Sequence, residues 1–234
     1  MAAPSTPNLN SILLFASLTK AEREDLARQC RFRNYGSGEH IIDSQSLSRD
    51  VYFVVSGVVR VVNYSASGRE IAFDDIPAGG FFGELSALDG APRSAYVQAQ
   101  CEVAVAAAMP YEIFLDLLAN KPELSLEIMK RLARMVRQST ERIMDLSTLG
   151  ANNRIHAELL RQAWAATADG KTASIAPIPL HSDIAGRVST TRETVARVLN
   201  DLARAGIVER RKDVLHVNDI GRLSLLVEEV RGYF

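Results

Sequence analysis

Two short stretches of this 234-residue chain hold residue types that can do chemistry. The first is Phe81-Phe82-Gly83-Glu84-Leu85, followed a few residues later by Pro92-Arg93-Ser94-Ala95. Gly83 permits close backbone approach, and the N–H groups beside it can point at an anion where the chain turns into a short helix. Arg93 supplies a charged fork for phosphate oxygens, and Ser94 adds a hydroxyl and an amide. Glu84 is an acceptor for a ribose hydroxyl. The same residues equally suit an ordinary Glu84–Arg93 ion pair on a turn. The second stretch runs from Ser182 to Leu199. Ile184, Ala185 and Val188 form a short apolar helix face, a turn follows near Ser189, and Thr190 or Thr191 caps the next helix. There Val195, Val198, Leu199 and Leu202 make a core stripe, with Arg192, Glu193, Ala196, Arg197 and Asn200 on the opposite arc. Arg pairs bidentately with guanine and Glu accepts from cytosine N4, so this arc suits base reading. A solvated charged face is the plainer alternative.

The elements that position these residues change texture along the chain. Thr19-x-x-Glu22 is a capping box that opens a helix to about Cys30, with Leu18, Leu26 and Ala27 as apolar contacts. Short β-branched and aromatic runs follow: 40–43, 51–55, 58–64, 70–76, 94–100 and 102–109. Tyr35-Gly36-Ser37-Gly38, Ser56-Gly57, Ser67-Gly68 and Gly79-Gly80 punctuate them. Many short, evenly spaced strands predict a β-sandwich or roll. Helical texture returns at Tyr111. Pro122 suits a first helical turn, and no Pro or Gly recurs until Gly150. Within that long helix Met129, Leu132, Val136, Ser139, Ile143 and Leu146 step by three and four, a coiled-coil seam that favours self-association over packing on its own domain. Gly150-Ala151-Asn152-Asn153 reads as a hinge. An amphipathic helix through Ile155, Leu159, Leu160 and Ala163 follows, then a loop at 167–179 with room for a short strand. After the two short helices come a β-ribbon (207–209 with 214–217) and a last helix from about Asp219.

Composition narrows the class. Apolar residues make up 47% and charged residues 24%, as in ordinary globular proteins. The net charge of −1 argues against a nonspecific nucleic-acid coat. Residues 151–234 carry 12 Lys and Arg against 10 Asp and Glu, and residues 1–150 carry 15 against 18, so the C-terminal part is the more basic. No apolar run is long enough to span a bilayer, and the N-terminus shows no basic region followed by an apolar core, so no export signal is expected. Cys30 and Cys101 share no metal-binding spacing and are expected as reduced thiols in a cytoplasmic protein. There is no cluster of Cys for iron–sulfur ligation, and His40, His156, His181 and His216 are scattered, which disfavours a gas- or redox-sensing protein. No nucleophile–base pair or metal motif supports an enzyme.

The run F-G-E-L-S-A-L-D-G-A-P-R-S-A resembles the phosphate-binding cassette of cyclic-nucleotide-binding domains in the Crp/Fnr family, with the Gly-Glu and Arg-Ser pairs and the intervening Pro all present. Arg192 to Arg197, R-E-T-V-A-R, is similar to the family's recognition helix. The resemblance spans nearly the whole chain. It implies an α+β protein with an N-terminal cyclic-nucleotide-binding β-roll (1–120), a long dimerisation helix and hinge (121–150) and a C-terminal winged helix-turn-helix (151–234). It further implies that Glu84 binds the ribose 2′-hydroxyl with Gly83 and Leu85 close by, and that Arg93 and Ser94 hold the cyclic phosphate. Val55 and Phe73 would make apolar contact with sugar and base. Ser139 would reach the base in its own subunit and Thr140 across a homodimer. Arg192, Glu193 and Arg197 would read bases, while Thr190, Thr191, Arg210, Arg211 and Lys212 would touch phosphates. The ligand implied is cAMP. Hydroxyls both donate and accept, which leaves cGMP, or a dual response, as the alternative. The partners implied are a second copy, palindromic double-stranded operator DNA and RNA polymerase, the last through the loop 167–175. A nucleotide-binding module that does not read DNA is the alternative of another class. One departure from the family is Ser189, where the turn often has Gly: Ser takes a left-handed backbone at greater cost.

Overall fold

The capping box forms as the sequence predicts. The Thr19 hydroxyl accepts from the Glu22 amide at 3.3 Å and the Glu22 carboxylate accepts from the Thr19 amide at 2.7 Å, opening α1 (Lys20–Arg28). The structure is a computed structural model that describes residues 8–66, 68 and 70–231. Most of the N-terminal stretch read for an export signal, and Ser67 of the Ser67-Gly68 turn, lie outside the described residues. The chain divides into two compact units, Met1–Arg134 and Met135–Phe234.

In the first unit, strands β1 (Arg31–Gly36), β2 (His40–Ile42), β3 (Val51–Ser56), β4 (Val58–Tyr64), β5 (Glu70–Pro77) and β6 (Phe81–Phe82) precede a short helix α2 (Glu84–Asp89). Strands β7 (Tyr96–Ala99) and β8 (Val103–Met109), then helices α3 (Tyr111–Asn120) and the start of α4 (Pro122–Thr148), complete it. The strands pair antiparallel in two four-stranded sheets, ordered β1-β8-β3-β6 and β2-β7-β4-β5. Both faces of β3 are buried. Val54 joins Tyr35, Ile42, Val59, Phe82 and Val97 in a core built from both sheets. Val51 and Phe53 turn to a second core with Leu9, Phe15, Phe81, Phe114, Leu124 and Ile128, where the helices pack. Burying each such Phe or Leu contributes about 1.5–3 kcal/mol. These cores fix where β6 ends and the cassette begins.

The second unit holds the C-terminal part of α4, then α5 (Ala151–Ala166), β9 (Ala173–Ile175), α6 (His181–Arg187), α7 (Arg192–Arg204), β10 (Val208–Arg211), β11 (Val214–Val217) and α8 (Ile220–Arg231). Its three strands order as β10-β11-β9. Ile155, Leu159, Ile184, Val195, Val198, Leu202, Val217 and Leu223 form one core. The expected four-residue hinge is shorter than the sequence suggests. Ala151, Asn152 and Asn153 already form the first turn of α5, and the helical break is Leu149-Gly150. Among the described residues no helix is long and apolar enough to cross a membrane.

Candidate ligand site and nucleic-acid interface

Gly83 is the pivot of the cassette. It takes φ 84° as the N-cap of α2, and a Cβ there would lie 2.7 Å from Arg93 Nη1 and 3.0 Å from the Asp50 carbonyl oxygen. Only glycine tolerates both that backbone and that approach. Arg93 is 2% exposed. Its Nη1 donates to the Gly83 carbonyl at 2.8 Å, its Nη2 to the Asp50 carbonyl at 2.6 Å and its Nε to Ser48 Oγ at 3.1 Å. Burial pushes its pKa down, against the pull of Tyr52, Asp50 and Glu84. A guanidinium stays charged regardless.

The direct Glu84–Arg93 ion pair does not form. Glu84 is 3% exposed, and its Oε1 accepts instead from Arg131 Nε of α4 at 3.3 Å. Arg131 also donates to the Phe81 carbonyl at 3.1 Å and stacks 4.5 Å over the Phe81 ring. The two buried charges of the cassette are thus held separately. Leu85 is half-buried and Ser94 exposed, its carbonyl accepting from Asn63 Nδ2 at 3.0 Å. Phe73 is 41% exposed at a bulge in β5, where Val61 is in register with Asp74 and Val62 with Ala72. Val55 corrects the sequence reading. Alternation along β3 turns Tyr52 and Val54 toward the two-sheet core and Val55 toward the helix-covered one. Arg93 stands 5.9 Å from the Tyr52 ring, on the side Val55 faces away from. Val61 of β4, packed against the two-sheet core, shares its strand face with Asn63, whose Nδ2 reaches the cassette at Ser94. Ser139 and Thr140 lie on α4 in the second unit, both exposed, with the Thr140 hydroxyl donating to the Val136 carbonyl at 3.0 Å. Along the same helix Met129, Val136, Ile143 and Leu146 are 58%, 65%, 63% and 49% exposed, while Leu132 packs on the helix-covered core.

In the second unit Thr191 is the N-cap of α7, its Oγ1 accepting from the Thr194 amide at 3.2 Å. Val195, Val198 and Leu202 are buried, and Arg192, Glu193, Arg197 and Asn200 are exposed. Hydrogen bonds from its own backbone and from Thr191 hold the Glu193 carboxyl below its ordinary range. Arg197 Nη2 donates to Asn152 Oδ1 at 3.2 Å, which ties the α7 face to the start of α5. Thr190 is half-buried in the turn between α6 and α7. Ser189 does take the left-handed backbone, φ 52°. Arg154 holds that turn, donating Nε to the Val188 carbonyl at 2.8 Å and Nη2 to the Ser189 carbonyl at 3.1 Å. Hydrogen bonds from a charged donor, each worth about 1.5–3 kcal/mol, offset the roughly 1–2 kcal/mol of a left-handed non-glycine residue. Arg210, Arg211 and Lys212 are exposed at the tip of the β10–β11 hairpin, where Lys212 has φ 50°. Arg211 pairs with Glu209 at 2.7 Å.

A β-roll with a buried anion cassette, followed in the chain by a winged helix-turn-helix, defines a ligand-responsive DNA-binding regulator. The cyclic nucleotide-binding domain family matches residues 32–121, and the Crp-like helix-turn-helix domain family matches residues 153–226. The cyclic AMP receptor protein of Thermus thermophilus is 30% identical over 220 residues, covering 93% of this chain and 95% of that protein. A CRP-like cAMP-activated global transcriptional regulator of Mycobacterium tuberculosis is 26% identical over 200 residues, covering 85% and 89%. The solved structure of a CooA mutant from Carboxydothermus hydrogenoformans shares the fold, with TM-score 0.79 at 22% identity over 93% of this chain and 96% of that one. The chain belongs to the Crp/Fnr family of transcription regulators. It is a cyclic-nucleotide-responsive, DNA-binding regulator.

Proposed function

We propose that cAMP occupies the Gly83–Ser94 cassette of each subunit of a cytoplasmic homodimer and favours the arrangement of the two recognition helices that fits a palindromic operator. The observation that carries this reading is Arg93. It is buried and charged, and among the described residues its hydrogen bonds go to neutral oxygens. A buried guanidinium with no carboxylate hydrogen-bonded to it among the described residues is costly, so the cassette is poised for an anion. In this reading Arg93 and Ser94 take the cyclic phosphate, Glu84 takes the ribose hydroxyl, and Gly83 and Leu85 line the approach. Phe73 and Val61 make the apolar contacts, and Ser139 and Thr140 meet the base. The choice of cAMP draws on the names of the relatives in Thermus thermophilus and Mycobacterium tuberculosis. The exposed seam of α4 supports the dimer, since a single chain leaves four large apolar side chains of that stripe in water. Arg192, Glu193 and Arg197 read base edges, and Thr190, Thr191, Arg210, Arg211 and Lys212 meet phosphates, with half-sites about one helical turn apart. RNA polymerase meets the loop 167–175. Calorimetric titration with cAMP and cGMP tests the ligand. Tighter binding of cAMP supports the reading, comparable binding of both nucleotides supports a dual response, and binding of neither contradicts it.

A further inference from the structure

The loop between β2 and β3 is built around Arg93. The Gln45 amide donates to the Arg93 carbonyl at 2.9 Å and the Arg93 amide donates to the Ser46 carbonyl at 2.9 Å, so the loop pairs with the Arg93 backbone in both directions. Gln45 takes φ 65° to make that approach. Further along, the Ser48 hydroxyl and the Asp50 carbonyl grip the guanidinium. Ser48 Oγ also lies 3.2 Å from Ser46 Oγ, so the two hydroxyls form a short chain that ends on Arg93. Ser48 itself is exposed and belongs to none of the apolar cores.

We propose that Ser48 is a positioning residue of the nucleotide site, which sets the guanidinium of Arg93 so that two N–H bonds, one on each terminal nitrogen, face the phosphate. The proposal rests on the reading that Arg93 takes the cyclic phosphate. An arginine side chain has five N–H donors. Nε goes to Ser48, one Nη1 hydrogen to Gly83 and one Nη2 hydrogen to Asp50, which leaves the pair that matches two phosphate oxygens. Without the Ser48 hydroxyl the buried Nε–H loses its acceptor, and the guanidinium turns to recover one. Any such turn misaligns the remaining pair. Fixing the rotamer before the ligand arrives also removes ordering cost from binding.

The test compares Ser48→Ala, Ser48→Thr and Arg93→Lys with the unaltered chain. Each is titrated with cAMP and with the two diastereomers of its phosphorothioate analogue, in which sulfur replaces one or the other exocyclic phosphate oxygen. Ser48→Ala is expected to weaken cAMP about tenfold and to change the preference between the diastereomers, while Ser48→Thr binds within about twofold of the unaltered chain. The diastereomer preference, and not the unliganded melting midpoint, is the readout that a merely structural role for Ser48 would leave unchanged. If Arg93→Lys loses affinity but Ser48→Ala binds normally with an unchanged diastereomer preference, the role of Ser48 is overturned and the reading of Arg93 stands. A lowered midpoint with an unchanged preference makes Ser48 merely structural and also overturns the proposal. If Arg93→Lys binds cAMP as the unaltered chain does, or the unaltered chain does not bind it, the underlying reading fails together with the proposal.

Discussion

The cassette and the recognition helix both carry charge, and they carry it in opposite ways. Glu84 and Arg93 are 3% and 2% exposed, each held by other groups of the chain. Arg192, Glu193 and Arg197 stand in solvent on α7, with Arg197 touching only Asn152 by side-chain hydrogen bond among the described residues. A small ligand is enclosed, so its site must be preorganised and largely dry, where each hydrogen bond to charge is strong. A DNA groove comes to the protein from outside, so long side chains on a rigid helix suffice and order on contact. The cassette should therefore be sensitive to ångström-scale packing, and the helix to the removal of individual donors.

The largest expected effect is at the cassette. Arg93→Gln should raise the Kd for cyclic nucleotide by roughly 100-fold or more, because the variant loses charge and fork together. Calorimetry checks it, and undiminished affinity would erase the contrast. Next come Arg192→Ala and Arg197→Ala, each expected to weaken operator binding by about 1–3 kcal/mol and to relax base preference at one position. Gel-shift titration on operator variants reads this, and nucleotide affinity should stay unchanged. Gly83→Ala sharpens the packing side. A Cβ 2.7 Å from Arg93 and φ 84° predict a loss of about 1–3 kcal/mol in stability, with nucleotide affinity falling as Arg93 is displaced. Lys212→Ala should act only on the other side, lowering the slope of log affinity against log salt by about 1 with little change in sequence preference.

The smallest effect concerns His156 on α5. Burial holds its pKa below the usual histidine value, and its Nδ1 is buried with no hydrogen-bond partner among the described residues. The unfolded chain therefore binds a proton at higher pH than the folded one. Stability is full above the ordinary histidine pKa of about 6.5 and declines as pH falls toward the depressed folded value. Thermal melts of the chain and of His156→Gln between pH 8 and pH 5, on the order of the range of histidine titration, should show a shallower acid decline in the variant.

Much of this was legible in the chain itself, for identifiable reasons. The Thr19–Glu22 box, β4 and the start of α4 at Pro122 follow from local patterns that need no distant partner. The strand β1 has no sequence signal, because Arg31-Phe32-Arg33-Asn34-Tyr35-Gly36 has little apolar character and lies at the edge of its sheet. The two-residue β6 is too short for any periodicity. Val55 was misassigned because both faces of β3 are buried, and alternation then carries no sign of which face meets the ligand. Ser48 and Arg131 were invisible for another reason. Their contacts to Arg93 and Glu84 span 45 and 47 residues and exist only once the sheets have closed. Glu84 and Arg93, nine positions apart, looked like each other's partner until the fold supplied others. Ser189 looked costly until Arg154, from a different helix, was seen on its carbonyl.

In the proposed function, filling the enclosed site changes what the exposed one does. Operator affinity of the purified protein, measured at fixed salt across a cAMP titration, tests it most directly. Affinity for a palindromic operator is expected to rise as cAMP saturates the cassette, and Arg93→Gln to abolish the rise while leaving the cAMP-free affinity unchanged. Operator affinity that stays constant from zero to saturating cAMP would contradict it.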